Sequence, residues 1–98
     1  MFISGGENVY PVEVENVLAA HPAVAEAAVV PAPHSKWGEV GRAFILPASD
    51  PRPAPEELHA FCRARLAPYK VPTSFEFVSD FPRTAAGKIR KNALAAAE

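Results

Sequence analysis

Eleven prolines in 98 residues punctuate this chain more strongly than anything else in it. Proline fixes φ near −65° and lacks an N–H, so neither a helix interior nor a central strand runs through one. The positions Pro11 and Pro55 suit the first turn of a helix, where the missing donor costs nothing. Pro22 and Pro68 stop helices, because the residue before a proline avoids helical angles. Two clusters, residues 31–33 and 51–55, read as stiff connections between patterned apolar segments.

The spans between these marks have clear periodicity. Met1 to Ser4 is a short apolar strand, and Gly5–Gly6 forces a turn after it. A helix begins at Pro11. Glu13 and Glu15 sit in its first turns, where its dipole favours negative charge, and Val14, Val17 and Leu18 form its apolar face. Val24 to Val30 reads as a strand, residues 31–39 as a loop, and Val40 to Pro47 as a second strand. A second helix starts at Pro55 and buries Leu58, Phe61, Cys62 and Leu66, with Arg63 and Arg65 near its C-terminal end. Ser74 to Val78 alternates as a half-buried strand does. Lys88 to Ala97 reads as a C-terminal helix with Ile89 and Leu94 turned inward. The order lacks the strict βαβ rhythm of a parallel sheet. The expected class is α+β: a small three-stranded sheet with helices packed on it, and a short hairpin-like loop at the N-terminus, all within one domain, residues 1–98.

Composition narrows the function. A hydrophobic content of 49% supports a core, but a chain of this size leaves little room for a deep private pocket of roughly several hundred Å³. A net charge of −1 gives no global field for nucleic acid. The acids Glu76 and Asp80 flank the basic end formed by Arg83, Lys88, Arg90 and Lys91, so no nucleic-acid partner is expected. The single cysteine, Cys62, excludes an internal disulfide and suits a reducing compartment. The chain has no apolar run long enough for a membrane span and no signal-peptide pattern at its start. These features together point to the cytoplasm.

Chemistry concentrates at the two ends. Lys88, in PRTAAGKIRK, is either an exposed lysine opening a helix or a charge placed to meet a phosphate or carboxylate. A cation at a helix N-terminus opposes the dipole, so stability does not explain it. Gly87 beside it lets the backbone approach a ligand. Gly5, Gly6, Glu7 and Asn8 form either a plain hairpin turn or a backbone surface kept bare for a thin ligand. They do not match the GxxxxGK phosphate loop. Trp37, before Gly38, is a lid over the core or a flat surface for a purine ring, and Tyr69 with Lys70 allows the same two readings. Cys62 belongs to the core. His21, His34 and His59 lack ligand spacing, so no metal site is expected, and no nucleophilic triad stands out.

Four stretches in this order, ISGGENVYPVEVE, HSKWGEV, LAPYKVP and PRTAAGKIRK, resemble the C-terminal domain of the adenylate-forming enzymes, in the form found in acyl-CoA synthetases. The resemblance implies a two-step ligase: a carboxylic acid and ATP give acyl-adenylate and pyrophosphate, and CoA then displaces AMP to give acyl-CoA. It implies a lid that swings. In one orientation Lys88 meets the carboxylate and α-phosphate. In the other, Gly5 to Pro11 line the path of the pantetheine arm, with Trp37, Tyr69 and Lys70 also on the CoA side. Its partner would be an N-terminal adenylation domain carrying the phosphate loop, adenine site, acyl pocket and Mg2+. That domain and the hinge residue lie outside these 98 residues, so the chain is expected to be a fragment that is inactive alone. PxxxxGK at Pro82 to Lys88 also resembles the context recognised by bacterial acetyltransferases, which implies acetylation of Lys88, reversed by a deacetylase. The rival reading is a non-catalytic module that binds CoA or a carrier-protein arm. Retention of Lys88 disfavours it, since binding alone needs no adenylation lysine.

Overall fold

A long antiparallel hairpin organises the fold. The computed structural model describes residues 1–96. In chain order the elements are β1 (Phe2–Ser4), β2 (Glu7–Val9), α1 (Pro11–Ala19), β3 (Val24–His34), β4 (Gly38–Pro47), α2 (Pro55–Arg63), a 3-10 turn (Pro68–Lys70), β5 (Ser74–Phe77) and α3 (Lys91–Ala96). β3 and β4 pair along nearly their whole length, from Val24↔Pro47 to His34↔Gly38. β5 runs parallel to the other edge of β4, with Arg42↔Ser74 and Ile45↔Phe77 in register. The β1–β2 hairpin joins that same edge through Ser4↔Gly38. The three expected strands, now β3, β4 and β5, are therefore part of a five-stranded sheet in which β4 is central.

Three local expectations change. Residues 31–34 belong to β3 and not to a loop, because β3 is an edge strand. The Val29 N–H points away from β4 and is caught by Glu15 Oε2 at 2.8 Å. Pro31 and Pro33 share that outward parity, so their missing donors remove no ladder bond. The second helix ends at Arg63, and Pro68 opens the 3-10 turn instead of stopping the helix. Residues 84–88 form a turn, and α3 begins only at Lys91. The expected extension of this helix to Ala97 lies outside the described residues.

Strand alternation gives the sheet two covered faces. On one face α1 and α2 pack Val14, Leu18, Leu58 and Cys62 against Val29, Ala43 and Ile45. Leu18 is fully buried; truncating it to alanine would cost about 2–5 kcal/mol. On the other face Ala28, Val30 and Phe44 meet Phe81 and Leu94 from the C-terminal segment. Arg42 pairs with Glu76 across β4 and β5. Between the two helices, buried His21 bonds Glu57 Oε2 at 2.7 Å through Nε2 and accepts the Ala23 N–H at 3.0 Å through Nδ1. Of the apolar positions expected on α2, Leu58, Cys62 and Leu66 are buried. Phe61 is half-buried and meets the His21 ring edge-on at 4.9 Å.

Candidate functional site

Gly5 and Gly6 form a two-residue loop between β1 and β2, closed by the Ser4↔Glu7 pair. Both glycines have positive φ, 58° and 85°, as a tight hairpin matching the strand twist requires. A side chain on Gly5 would also meet a wall, because its Cβ would lie 3.1 Å from Trp37 Cε3. A Cβ on Gly6 would meet nothing within 4 Å. The Gly5 N–H donates to the Trp37 carbonyl at 2.9 Å, tying this loop to the β3–β4 turn.

The result is a cleft of about 320 Å³ lined by Ser4, Gly5, Trp37, Val40, Pro68, Tyr69, Val71 and Thr73. It unites three of the residues singled out in the sequence: Gly5, Trp37 and Tyr69. Trp37 is 46% exposed and Tyr69 38% exposed. They form an apolar, aromatic wall open to solvent, of the kind on which a planar ring stacks. Lys36 Nζ stands 4.7 Å from the centre of the Trp37 ring. Gly6, Glu7, Asn8 and Lys70 do not line the cleft. Glu7 and Asn8 are exposed on β2. Lys70 pairs with Glu13 on α1, its Nζ donating to Oε2 at 3.2 Å, and this hydrogen bond holds its pKa above the usual lysine value. It braces the 3-10 turn that presents Tyr69.

Lys88 sits at the end of a three-residue hairpin loop, Ala85 to Gly87. Thr84 N–H donates to the Lys88 carbonyl at 2.8 Å, and Gly87 N–H to the Thr84 carbonyl at 2.9 Å. Thr84 Oγ1 accepts the Lys88 N–H at 3.2 Å, and Arg83↔Ile89 forms a bridge behind the turn. Gly87 has φ 87°, while a Cβ there would meet nothing within 4 Å. The glycine is thus required by backbone geometry, and not by crowding beside the lysine. Lys88 is exposed. Among the described residues, no carboxylate lies within ion-pair reach of it. Its charge is directed outward from a fixed turn.

The two sites lie apart. The Lys88 turn packs beside the face that carries Ala28, Val30 and Phe44, through Phe81 and Ile89. It is tied to Glu26, which pairs with Leu46. The cleft contains Val40. Six residue steps of extended strand lead from Val40 to Leu46, about 20 Å.

Sequence reasoning missed Ser4, Val40, Pro68, Val71 and Thr73 in the cleft wall, since no local pattern marks residues contributed by separate segments. It also took Glu15 as a helix-dipole residue. Its carboxylate in fact accepts the Val29 N–H and pairs with Lys91. Arg83 likewise pairs with Glu26 and Asp80.

Comparison with known proteins places the chain. The profile described as the AMP-binding enzyme C-terminal domain matches residues 13–88. A feruloyl-CoA synthase from an Amycolatopsis species is 53% identical over 91 residues, covering 93% of this chain and 18% of that protein. The fatty acid–[acyl-carrier-protein] ligase ScoC of Streptomyces coeruleorubidus is 49% identical over 89 residues, covering 91% of this chain and 17% of that protein. A solved Mycobacterium tuberculosis fatty acyl CoA synthetase superposes with a TM-score of 0.92 at 40% identity, over 99% of this chain and 19% of the other. The chain thus spans about a fifth of the length of the proteins it matches.

Proposed function

This chain belongs to the AMP-binding enzyme C-terminal domain family, and on that footing we propose that it is the lid of an acyl-CoA synthetase, serving two half-reactions with two separate sites. In the first, a carboxylate attacks the α-phosphate of ATP, forming acyl-adenylate and releasing pyrophosphate. Lys88 supplies the positive charge where two anions must meet; one preorganised charged donor in a closed site is worth about 3–4 kcal/mol. In the second, the CoA thiol loses its proton and attacks the acyl carbonyl, and AMP leaves. The Gly5–Trp37–Tyr69 cleft then receives CoA.

The observation that carries this reading is the separation of the two sites on one rigid sheet. The positions on β4 beside which the two sites lie, Val40 and Leu46, are about 20 Å apart along the strand, so bringing each site in turn to one reaction centre calls for rigid-body rotation of the lid. The remaining parts belong outside these residues: an N-terminal domain that binds ATP and the acid, and the Mg2+ that accompanies ATP. Among the described residues no cluster of three or more His, Cys, Asp or Glu could hold a metal. No described helix is long and apolar enough to cross a membrane, and the reading places the enzyme in the cytoplasm. An acetyltransferase and a deacetylase acting on Lys88 complete the proposed partners.

Two measurements on the full-length enzyme test this. Lys88→Ala should cut ATP–pyrophosphate exchange by about 10²-fold or more while sparing CoA attack on a pre-made acyl-adenylate; equal loss in both half-reactions would remove the two-site mechanism. Trp37→Ala should raise KM for CoA but not for pantetheine, which lacks the adenine ring. An equal effect on both acceptors would point instead to a carrier-protein arm, the acceptor class in the name of the ScoC relative.

A further inference from the structure

The loop that carries Lys88 has few ties to the sheet. Its internal hydrogen bonds all run between Thr84, Gly87 and Lys88. Behind it, Arg90 N–H donates to the Pro82 carbonyl at 2.7 Å, and Ile89 packs on the apolar face. At the tip, Arg83 Nη1 donates to the Gly87 carbonyl at 3.4 Å and to Glu26 Oε2 at 3.2 Å, while its Nη2 bonds Glu26 Oε1. Glu26 belongs to β3, in register with Leu46. Among the described residues, this guanidinium makes the one hydrogen-bonded link between the tip of the loop and a group fixed on the sheet.

We propose that Arg83, anchored bidentately by Glu26, is a positioning residue that sets where the Lys88 ammonium stands. This rests on the reading of Lys88 as the adenylation lysine. An exposed ion pair contributes little to overall stability, whereas a forked guanidinium–carboxylate contact adds geometric definition. An arginine is charged at any working pH, so the brace does not titrate. A lysine at position 83 would carry the charge without the fork. Catalysis by a preorganised charge is sensitive to displacements of about 1 Å, which can cost on the order of 10²-fold.

The experiment uses the full-length enzyme with Arg83→Gln, Glu26→Gln, the double variant and Lys88→Ala as reference. Each single variant should lower kcat for pyrophosphate exchange about 10-fold, with KM for CoA and thioester formation from pre-made acyl-adenylate unchanged. The double variant should be no worse than either single one, since both break the same link. Hydrogen exchange at the Thr84, Gly87 and Lys88 amides should quicken in both single variants. The proposal is overturned if exchange at those amides stays at the wild-type rate, or if both half-reactions fall equally together with the melting temperature. Lys88→Ala with normal pyrophosphate exchange would sink the catalytic reading instead, leaving the amide-exchange result to decide the brace alone.

Discussion

Gly5 and Trp37 hold each other in place: the Gly5 N–H bonds the Trp37 carbonyl at 2.9 Å, and the indole fills the space a Gly5 side chain would need. The glycine loop is therefore also the mount of the aromatic wall. Gly5→Ala adds left-handed backbone strain of about 1–2 kcal/mol and pushes the indole away. Gly6→Ala adds the same kind of strain with open space around it. Urea unfolding should show the larger loss for Gly5→Ala. Tryptophan emission should shift in that variant only, and equal losses with unshifted emission in both would refute the mount.

Glu15 joins the two layers around the β3 edge. Its carboxylate accepts the Val29 N–H and pairs with Lys91 at the start of α3. Glu15→Ala leaves a buried donor and a cation unsatisfied and should cost about 1–3 kcal/mol. Glu15→Gln retains an acceptor for Val29 and should cost less. Chemical denaturation of the two variants checks the order; equal losses would show that the ion pair with Lys91, which both variants lack, outweighs the backbone bond.

Cys62 is fully buried. Burial pushes its thiol pKa up to about 11 from 9.0, with Arg65 pulling weakly the other way. The folded state thus holds this proton more tightly than the unfolded chain. The contribution to stability is complete below pH 9.0 and declines as pH rises towards about 11. At pH 8 a disulfide reagent should label Cys62 only after urea is added. Labelling at the same rate in native protein would contradict the burial.

Lys88 is exposed on a defined turn, which leaves it within reach of a modifying enzyme. Acetylation removes its positive charge and adds bulk. Stoichiometric acetylation should abolish pyrophosphate exchange and leave thioester formation from acyl-adenylate intact, with deacylase treatment restoring exchange. Mass spectrometry paired with both assays decides it. A fully modified enzyme with normal exchange would refute both the switch and the role of Lys88.

Short-range chemistry was legible without coordinates. Pro11 and Pro55 mark both helix starts because proline's fixed φ and missing donor act within one turn. The Gly5–Gly6 turn, the buried faces of α1 and α2, and the order of the four motifs likewise rest on neighbours a few residues apart. Pro31 and Pro33 misled for the opposite reason. Whether a proline breaks a strand depends on which way its missing N–H points, and only the pairing of β3 with a single neighbour decides that. The same limit applies to Lys88, whose turn is closed by Thr84 and backed by a bridge to Arg83 and not by a helix. The cleft belongs wholly to the tertiary structure. Gly5, Trp37 and Tyr69 come from three loops, and no periodicity records that the sheet brings them to one wall. Nor does any local pattern record that Glu26 and Glu15, on β3 and α1, hold the lysine-bearing segment on the other side: ion pairs between residues so far apart in sequence exist only once the layers have packed.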